Sequence, residues 1–250
     1  MEHRTPPTLV MENILKSSGL VLLNSANYNR WQYEQFRPYI GKTVLEIGCG
    51  LGNLTQYLRE DTQFLLSIDT RKEAVDFIQT RCPQTADFKV ENLDVFADGF
   101  KGYAGQIFDT IVFSNVLEHI EDDTQAMRIC RDILKPAGGK LLLLVPAHKF
   151  LYGTLDAESG HYRRYSKKEI IHLAQVSRFK ILDLYAFNIS GALGWFLNYC
   201  VLRRKGTNNP PVNTPMQFYD RFLVKVNRFL ENKIRPFVGI SYIAILEVEK

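Results

Sequence analysis

The chain has 250 residues, 46% of them apolar and 23% charged, with a formal net charge of +4 at neutral pH. These values fit a folded chain near the upper size for one hydrophobic core and exclude a collagenous or intrinsically disordered polypeptide. A charge of +4 is too small to call for nucleic acid, and Cys49, Cys82, Cys130 and Cys200 form no C-x-x-C pair, so neither zinc ligation nor a disulfide framework is indicated.

The N-terminal stretch is polar and proline-bearing, with no apolar run of signal-peptide type before Leu20; with the cysteine pattern this predicts a reducing, cytoplasmic setting. Strands are expected near 43–47, 64–69, 87–91, 108–113, 140–145, 179–187 and 240–248, with helically spaced segments between them. That alternation predicts an α/β fold with a mostly parallel sheet and helices on both faces. One helix has a readable start and stop. Asp122 or Asp123 caps it, Met127, Cys130, Ile133 and Leu134 share a face, and Pro136 with Gly138 and Gly139 ends it. A single domain is expected: a helical arm over 1–40, a cofactor-binding core over 41–189, a helical insertion over 190–238 and a final strand over 239–250.

The most informative segment runs from Val44 to Thr55, an apolar strand entering a turn that holds Gly48, Gly50 and Gly52 and then a helix carrying Leu54, Tyr57 and Leu58. Glycines there let a ligand approach the main chain. The spacing is G-x-G-x-G with Asn53 after it, whereas a dinucleotide site needs a third glycine one position later. Glu46 beside the turn would repel pyrophosphate and attract a ligand with positive charge, such as the sulfonium and amino group of S-adenosylmethionine. Asp69 closes the apolar run that starts at Phe64, at the distance where nucleotide-binding folds place a carboxylate on ribose hydroxyls; it also suits a cap for the helix beginning near Arg71.

With these residues in place the chain resembles the class I S-adenosylmethionine-dependent methyltransferases, in the small-molecule group that includes ubiquinone-biosynthesis-type enzymes. Further segments match in order: Asn92-Leu93-Asp94-Val95, the run from Phe108 through Asn115-Val116-Leu117-Glu118-His119 to Ile120, and Leu134-Lys135-Pro136-Ala137-Gly138-Gly139 with the strand after it. The resemblance covers most of residues 27–190 and implies a Rossmann-like seven-stranded sheet with an antiparallel last strand. It implies S-adenosylmethionine as cofactor and S-adenosylhomocysteine as product. Carried onto this sequence, the cofactor-binding positions are Glu46, Gly48, Cys49, Gly50, Asn53, Asp69, Thr70, Leu93, Asp94, Val95, Asn115, Val116 and His119. Asp94 is expected at the adenine amino group, and Asn115, Val116 and His119 at the methionine part. Cys49 is read as packing, not as a nucleophile. Tyr28 and Trp31, taken to follow a helix, either fold over the cofactor or anchor the arm to the sheet.

Substrate choice is expected from two stretches outside the common core, the arm and the region after the fifth strand. Ser166 with Glu169 reads as a capping box, which puts His161, Arg163, Arg164 and Tyr165 in a loop at the C-terminal edge of the sheet. His161 and His119 are the candidate catalytic bases; Tyr152, His161, Arg163, Arg164, Tyr165 and Trp195 are the candidate substrate contacts. The alternative for the His161 loop is a hydrogen-bonded brace. Glu118 is read as a helix cap. No metal site is expected.

Residues 184–202 carry no charge and precede Arg203-Arg204-Lys205, yet Gly191, Gly194 and polar residues interrupt them, so they read as a strand end and a short helix rather than a transmembrane span. Phe218, Phe222, Val226, Phe229 and Leu230 form one stripe, expected to pack on the sheet or to line an apolar acceptor pocket. The expected activity is methyl transfer to an oxygen or nitrogen of a small hydrophobic or aromatic metabolite. The alternatives are a lipid-linked or glycosylated acceptor met at a membrane surface through peripheral contact, and a catalytically silent cofactor-binding protein.

Overall fold

Every strand expected above forms, and the inner ones are largely apolar because both of their faces are covered. The structure, a computed structural model, describes residues 25–97, 103, 108–204, 218–231 and 233–249. The strands are β1 (Thr43–Ile47), β2 (Phe64–Asp69), β3 (Phe88–Asn92), β4 (Thr110–Ser114), β5 (Lys140–Pro146), β6 (Phe179–Phe187) and β7 (Ser241–Val248). They form one sheet in the order β3-β2-β1-β4-β5-β7-β6, with β7 antiparallel to both neighbours and the other pairings parallel. The helices are α1 (Ala26–Phe36), α2 (Thr55–Asp61), α3 (Lys72–Arg81), α4 (Asp123–Ile133), α5 (Thr154–Glu158), α6 (Lys167–Val176), α7 (Ile189–Trp195) and α8 (Val224–Glu231). Residues 1–24 of the expected arm and 205–217 of the expected insertion lie outside the described residues.

Neighbouring residues on each strand serve opposite layers. Leu141 and Leu143 of β5 pack with Met127 and Cys130 of α4 and Ile170 of α6, while Leu142 and Leu144 pack with Trp31 and Phe36 of α1, Leu58 of α2 and Ile78 of α3. Asp122 is the cap of α4, its carboxylate accepting from the Gln125 N–H at 2.9 Å. Ser166 and Glu169 form the capping box of α6. The fourth strand begins at Thr110, two residues later than expected. Phe108 makes only an isolated bridge to Leu134; Asp109 bonds Thr43 and Lys140 through its main chain, and its side chain also takes the N–H groups of Lys42 and Thr43 at 3.0 and 2.9 Å.

Two expectations need correction. Residues 27–31 do not follow a helix; they lie inside α1, whose Trp31 packs on Phe187 with ring centroids 4.2 Å apart. The second concerns the insertion. A π-helical turn, Phe196–Val201, extends α7, and another, Tyr219–Leu223, leads into α8. The stripe of Phe218, Phe222, Val226, Phe229 and Leu230 is exposed, not packed on the sheet. The residues turned inward are Asp220, Val224, Asn227 and, half-buried, Glu231, so this helical segment is amphipathic with its polar side against the protein.

That inversion has a hydrogen-bonding cause. The Asp220 carboxylate accepts from the N–H groups of Asn27 and Tyr28 at 3.3 and 2.8 Å, closing the open N-terminus of α1. Glu231 does the same for Asn188 and Ile189 at the start of α7, both at 2.8 Å. Replacing Asp220 by Ala should therefore lower unfolding stability by about 1–3 kcal/mol in a urea titration, the size of a lost cap with buried donors left behind. An unchanged midpoint would show that these bonds do not hold α1.

Candidate active site

Strands β1 to β5 run parallel, so their C-terminal ends lie along one edge, with Ile47 beside Ile68 and Phe113, Asp69 beside Asn92, and Ser114 beside Leu144. The loops leaving them converge there, as ligand sites of open α/β sheets require. The first turn is fixed by main-chain bonds. Gly48 and Cys49 both donate to the Ile68 carbonyl, at 2.8 and 3.0 Å, and Gly48 has φ +71°, where a side chain would collide with Val116. The Gly50 N–H, at φ +56°, donates to the Asp69 carboxylate at 2.8 Å. The other Asp69 oxygen accepts from the Arg71 N–H and Nε at 2.9 and 3.1 Å. Asp69 thus holds the main chain at Arg71, the residue before α3, and sits against the glycine turn, while α3 itself has no side-chain cap. Arg71 is a partner that the sequence reading did not single out.

The other candidate cofactor positions fall along the same edge. Asn53 has a buried Oδ1 with no hydrogen-bond partner, an acceptor suited to the amino group of a ligand. Thr70 and Asp94 are exposed, Leu93 is half-buried and Val95 buried; Asp94 accepts from the Phe96 N–H at 2.9 Å. Asn115 takes φ +54°, a region that asparagine tolerates, and its neighbour Val116 fills the space beside Gly48. Cys49 is buried, and burial pushes its thiol up, in keeping with packing.

Glu46 does not stand open at the mouth of the turn. It is buried, one oxygen accepts from Thr55 and Ser67 at 2.6 and 2.7 Å, and burial raises its carboxyl to about 7. Its role is to tie α2 and β2 to β1 rather than to offer a permanent charge. Tyr28 and Trp31 are likewise core residues, at 8% and 1% exposure, and act as the arm's anchor. A shallow cleft of about 430 Å3 lined by Gly41, Lys42, Thr110 and Lys140 lies at the opposite, N-terminal edge of the strands and contains none of the candidate residues.

On the acceptor side the organising residue is Asp156, which sequence reading missed. It lies on the short α5, fully buried, and accepts from His161 Nδ1 at 2.7 Å and Arg164 Nε at 2.9 Å. Burial alone would raise the Asp156 carboxyl, but the hydrogen bonds from His161 and Arg164 outweigh it and hold the group below the usual carboxylate range. A proton kept on Nδ1 by that bond leaves Nε2 of His161 as the basic nitrogen. The His161 ring meets His119 edge to face at 4.6 Å. Desolvation, then His161 and Arg71, lower the His119 pKa, so its imidazole is neutral at physiological pH. Asp69 acts on the same ring with the opposite sign, so His119 feels charges from the first-turn edge as well as from His161.

The remaining expected substrate contacts are mostly structural. Arg164 is buried, paired with Asp156, bonded to the Ala147 carbonyl at 3.1 Å and stacked 4.6 Å from the Trp195 ring. Arg163 pairs with Asp123 and donates to the Glu121 carbonyl, each at 2.7 Å, and the buried Tyr165 donates to Asp123 at 3.0 Å. These three brace the loop. Trp195 spends its N–H on the Leu151 carbonyl at 3.0 Å. Tyr152 keeps an exposed position, lining a cleft of about 470 Å3 with Tyr199, Cys200 and Arg203.

Glu118 is no helix cap. It is fully buried, neither oxygen has a hydrogen-bond partner among the described residues, and burial pushes its carboxyl up to about 8. With His119 and His161 it forms a group whose donor and acceptor atoms lie within 4.8 Å of one another, a spacing that would also suit a metal ion although the sequence pointed to none.

A family model described as a methyltransferase domain matches residues 45–141, from β1 into β5. A curated relative, the ubiquinone biosynthesis O-methyltransferase of Xanthomonas euvesicatoria pv. vesicatoria (strain 85-10), is 31% identical over 125 residues, covering 48% of this chain and 50% of that protein. In this domain the chain is similar to the class I S-adenosylmethionine-dependent methyltransferases. It spans half the length of that relative. A solved S-adenosylmethionine-dependent methyltransferase from Mesorhizobium loti shares the fold of this chain with a TM-score of 0.57 at 13% identity, over 86% of this chain and 95% of that one. The N-methyltransferase NodS from Bradyrhizobium japonicum WM9, solved with S-adenosyl-L-homocysteine, aligns with a TM-score of 0.53 at 15% identity, over 88% and 87%. The glycine turn, Asp69 and the Asn53 oxygen, which has no hydrogen-bond partner among the described residues, fit the cofactor of that family.

The raised Glu118 carboxyl makes a signed prediction. Folding favours its protonated form, so its contribution is complete below the ordinary value of 4.5 and is lost as pH rises through about 8. Glu118→Gln cannot ionise, and its stability relative to wild type should climb across that window in denaturant titrations. A difference that stays flat with pH would contradict the assignment.

Proposed function

We propose that the chain transfers the methyl group of S-adenosylmethionine to an oxygen or nitrogen of a small hydrophobic or aromatic acceptor, with a hydroxyl oxygen favoured. The observation that carries this reading is the Asp156–His161 pair set against His119 at the edge that also holds Asp69 and the glycine turn. The relative's name as an O-methyltransferase supports oxygen.

When bound, S-adenosylmethionine supplies a methyl group made electrophilic by its sulfonium. On this chain, Asp69 and the Gly50 loop would hold the ribose, Asp94 the adenine and Asn53 an amino group. His161 Nε2 takes the proton of the acceptor hydroxyl as the oxygen–carbon bond forms and the carbon–sulfur bond breaks; Asp156 holds the ring in place and stabilises the imidazolium. His119, neutral, packs edge to face beside that ring. The displacement needs nucleophile, carbon and sulfur in line, so orientation supplies much of the acceleration and the base the rest.

Release of S-adenosylhomocysteine should be measured with a panel of phenols and amines. His161→Gln should slow it by roughly 10²–10⁴-fold while cofactor affinity stays within a factor of about two, because only a proton acceptor in the transition state is lost. Unchanged turnover in that variant would remove acid–base chemistry from the mechanism.

A further inference from the structure

The insertion between β6 and β7 exposes apolar side chains that no other described residues cover. On the helix that starts at Ile189, Ala192 is buried and Trp195 and Tyr199 turn inward, whereas Leu193, Phe196, Leu197 and Val201 are exposed. On the segment 218–231 the inversion described above exposes the aromatic stripe. The two helices are tied together at their polar sides, where Asn188 and Ser190 meet Tyr219, Asn227 and Glu231. Beyond α8, Ile234 and Phe237 stand out at 70% and 90% exposure. A monomer in water gains nothing from such a face, and exposed apolar clusters rimmed by charge mark interaction surfaces.

The charges identify the occupant. Arg203, Arg221, Lys225 and Lys233 are exposed and make no ion pair among the described residues. Lys233 lies 4.2 Å over the Phe229 ring and Arg221 5.7 Å from the Phe222 ring, so cations flank the aromatic stripe itself. The two acids of segment 218–231, Asp220 and Glu231, are both turned inward and spent on helix N-termini. A second copy of this face would meet the same unpaired cations, which disfavours self-association. An apolar stripe with basic flanks and no outward acid is the pattern of a helix lying in the headgroup region of an anionic leaflet.

We infer that α7, α8 and the π-helical turns adjoining them form a peripheral docking face for a bilayer containing anionic phospholipid. No helix among the described residues is long and apolar enough to cross a membrane, so the contact is made from one side. The cleft lined by Tyr152, Tyr199, Cys200 and Arg203 shares residues with this face, so an apolar acceptor dissolved in the leaflet has a short route to the His161 loop. The docking face does not depend on the methyl-transfer reading, because it can be measured with no cofactor present.

The test is co-sedimentation of the full chain with vesicles of phosphatidylcholine alone and of phosphatidylcholine mixed with phosphatidylglycerol. The chain should pellet with the mixed vesicles and do so much less with the neutral ones. Combining Arg221→Glu, Lys225→Glu and Lys233→Glu should weaken that binding by far more than tenfold, since each cation near an anionic surface is worth about fivefold. Phe222→Asp with Phe229→Asp should lose at least about tenfold through the apolar contribution. Both variants should melt like wild type and keep wild-type release of S-adenosylhomocysteine with a water-soluble acceptor; should the double variant fold poorly, the charge-reversed one decides. Wild type left in the supernatant with every vesicle, or a charge-reversed variant that pellets as well as wild type, would overturn the proposal. So would a dimer in sedimentation velocity that Phe222→Asp with Phe229→Asp dissolves.

Discussion

The bond from the Gly50 N–H to the Asp69 carboxylate joins the first glycine turn to the end of β2, and the rest of the site is arranged around that join. It works because β1 and β2 are parallel and in register, which brings the loop after one strand within reach of the last residue of the next. Gly48 has to be glycine there for two separate reasons: its φ is positive, and Val116 occupies the volume that a side chain would need. The same contact links the first turn to the exit of β4, so the residues at that exit, Asn115 to His119, are held relative to Asp69 by packing and not by a flexible loop.

On the acceptor side a second carboxylate, Asp156, plays the matching part from inside the protein. Taking a carboxylate and a guanidinium out of water is costly, and the arrangement persists only because Asp156 is bonded by both Arg164 and His161 while Arg164 also reaches the Ala147 carbonyl. Such a pair adds little net stability, yet removing either member would leave an uncompensated buried charge costing about 3–5 kcal/mol. The consequence for chemistry is geometric. His161 is oriented by a group that cannot move without breaking the loop's own support, and the arrangement that braces the loop also aims its imidazole.

Much of this was legible in the residues. Strands buried on both faces are nearly continuous apolar runs, so their positions could be read to within a residue or two; the fourth starts at Thr110, with Asp109 just before it bonded to Thr43 through both main chain and side chain. The capping box at Ser166 and the stop at Pro136 to Gly139 have local causes and were readable for that reason. The charge argument at Glu46 failed because a sequence shows a carboxyl's sign but not its burial, and burial moves this one to about 7. Arg164 and Tyr165 were misread for a related reason, since their partners lie on elements distant in sequence. Asp156 had no periodic neighbourhood to announce it; its offset of five from His161 was the only trace. The stripe on 218–230 was correctly seen as a stripe, but periodicity does not say which side faces inward. The signal was the second stripe, Asp220, Asn227 and Glu231, whose polar groups had bonds to make with α1 and α7.

The central claim is that Asp69 and the glycine turn hold a sulfonium nucleoside. Calorimetric titration of S-adenosylmethionine into the purified chain and into Asp69→Ala tests it most directly. The account predicts saturable binding by the wild-type chain and a loss of at least about tenfold in the variant, the scale of one charge-assisted hydrogen bond to a ribose hydroxyl, with the fold retained by circular dichroism. Equal affinity in both proteins, or uptake of a nicotinamide dinucleotide in place of S-adenosylmethionine, would contradict it.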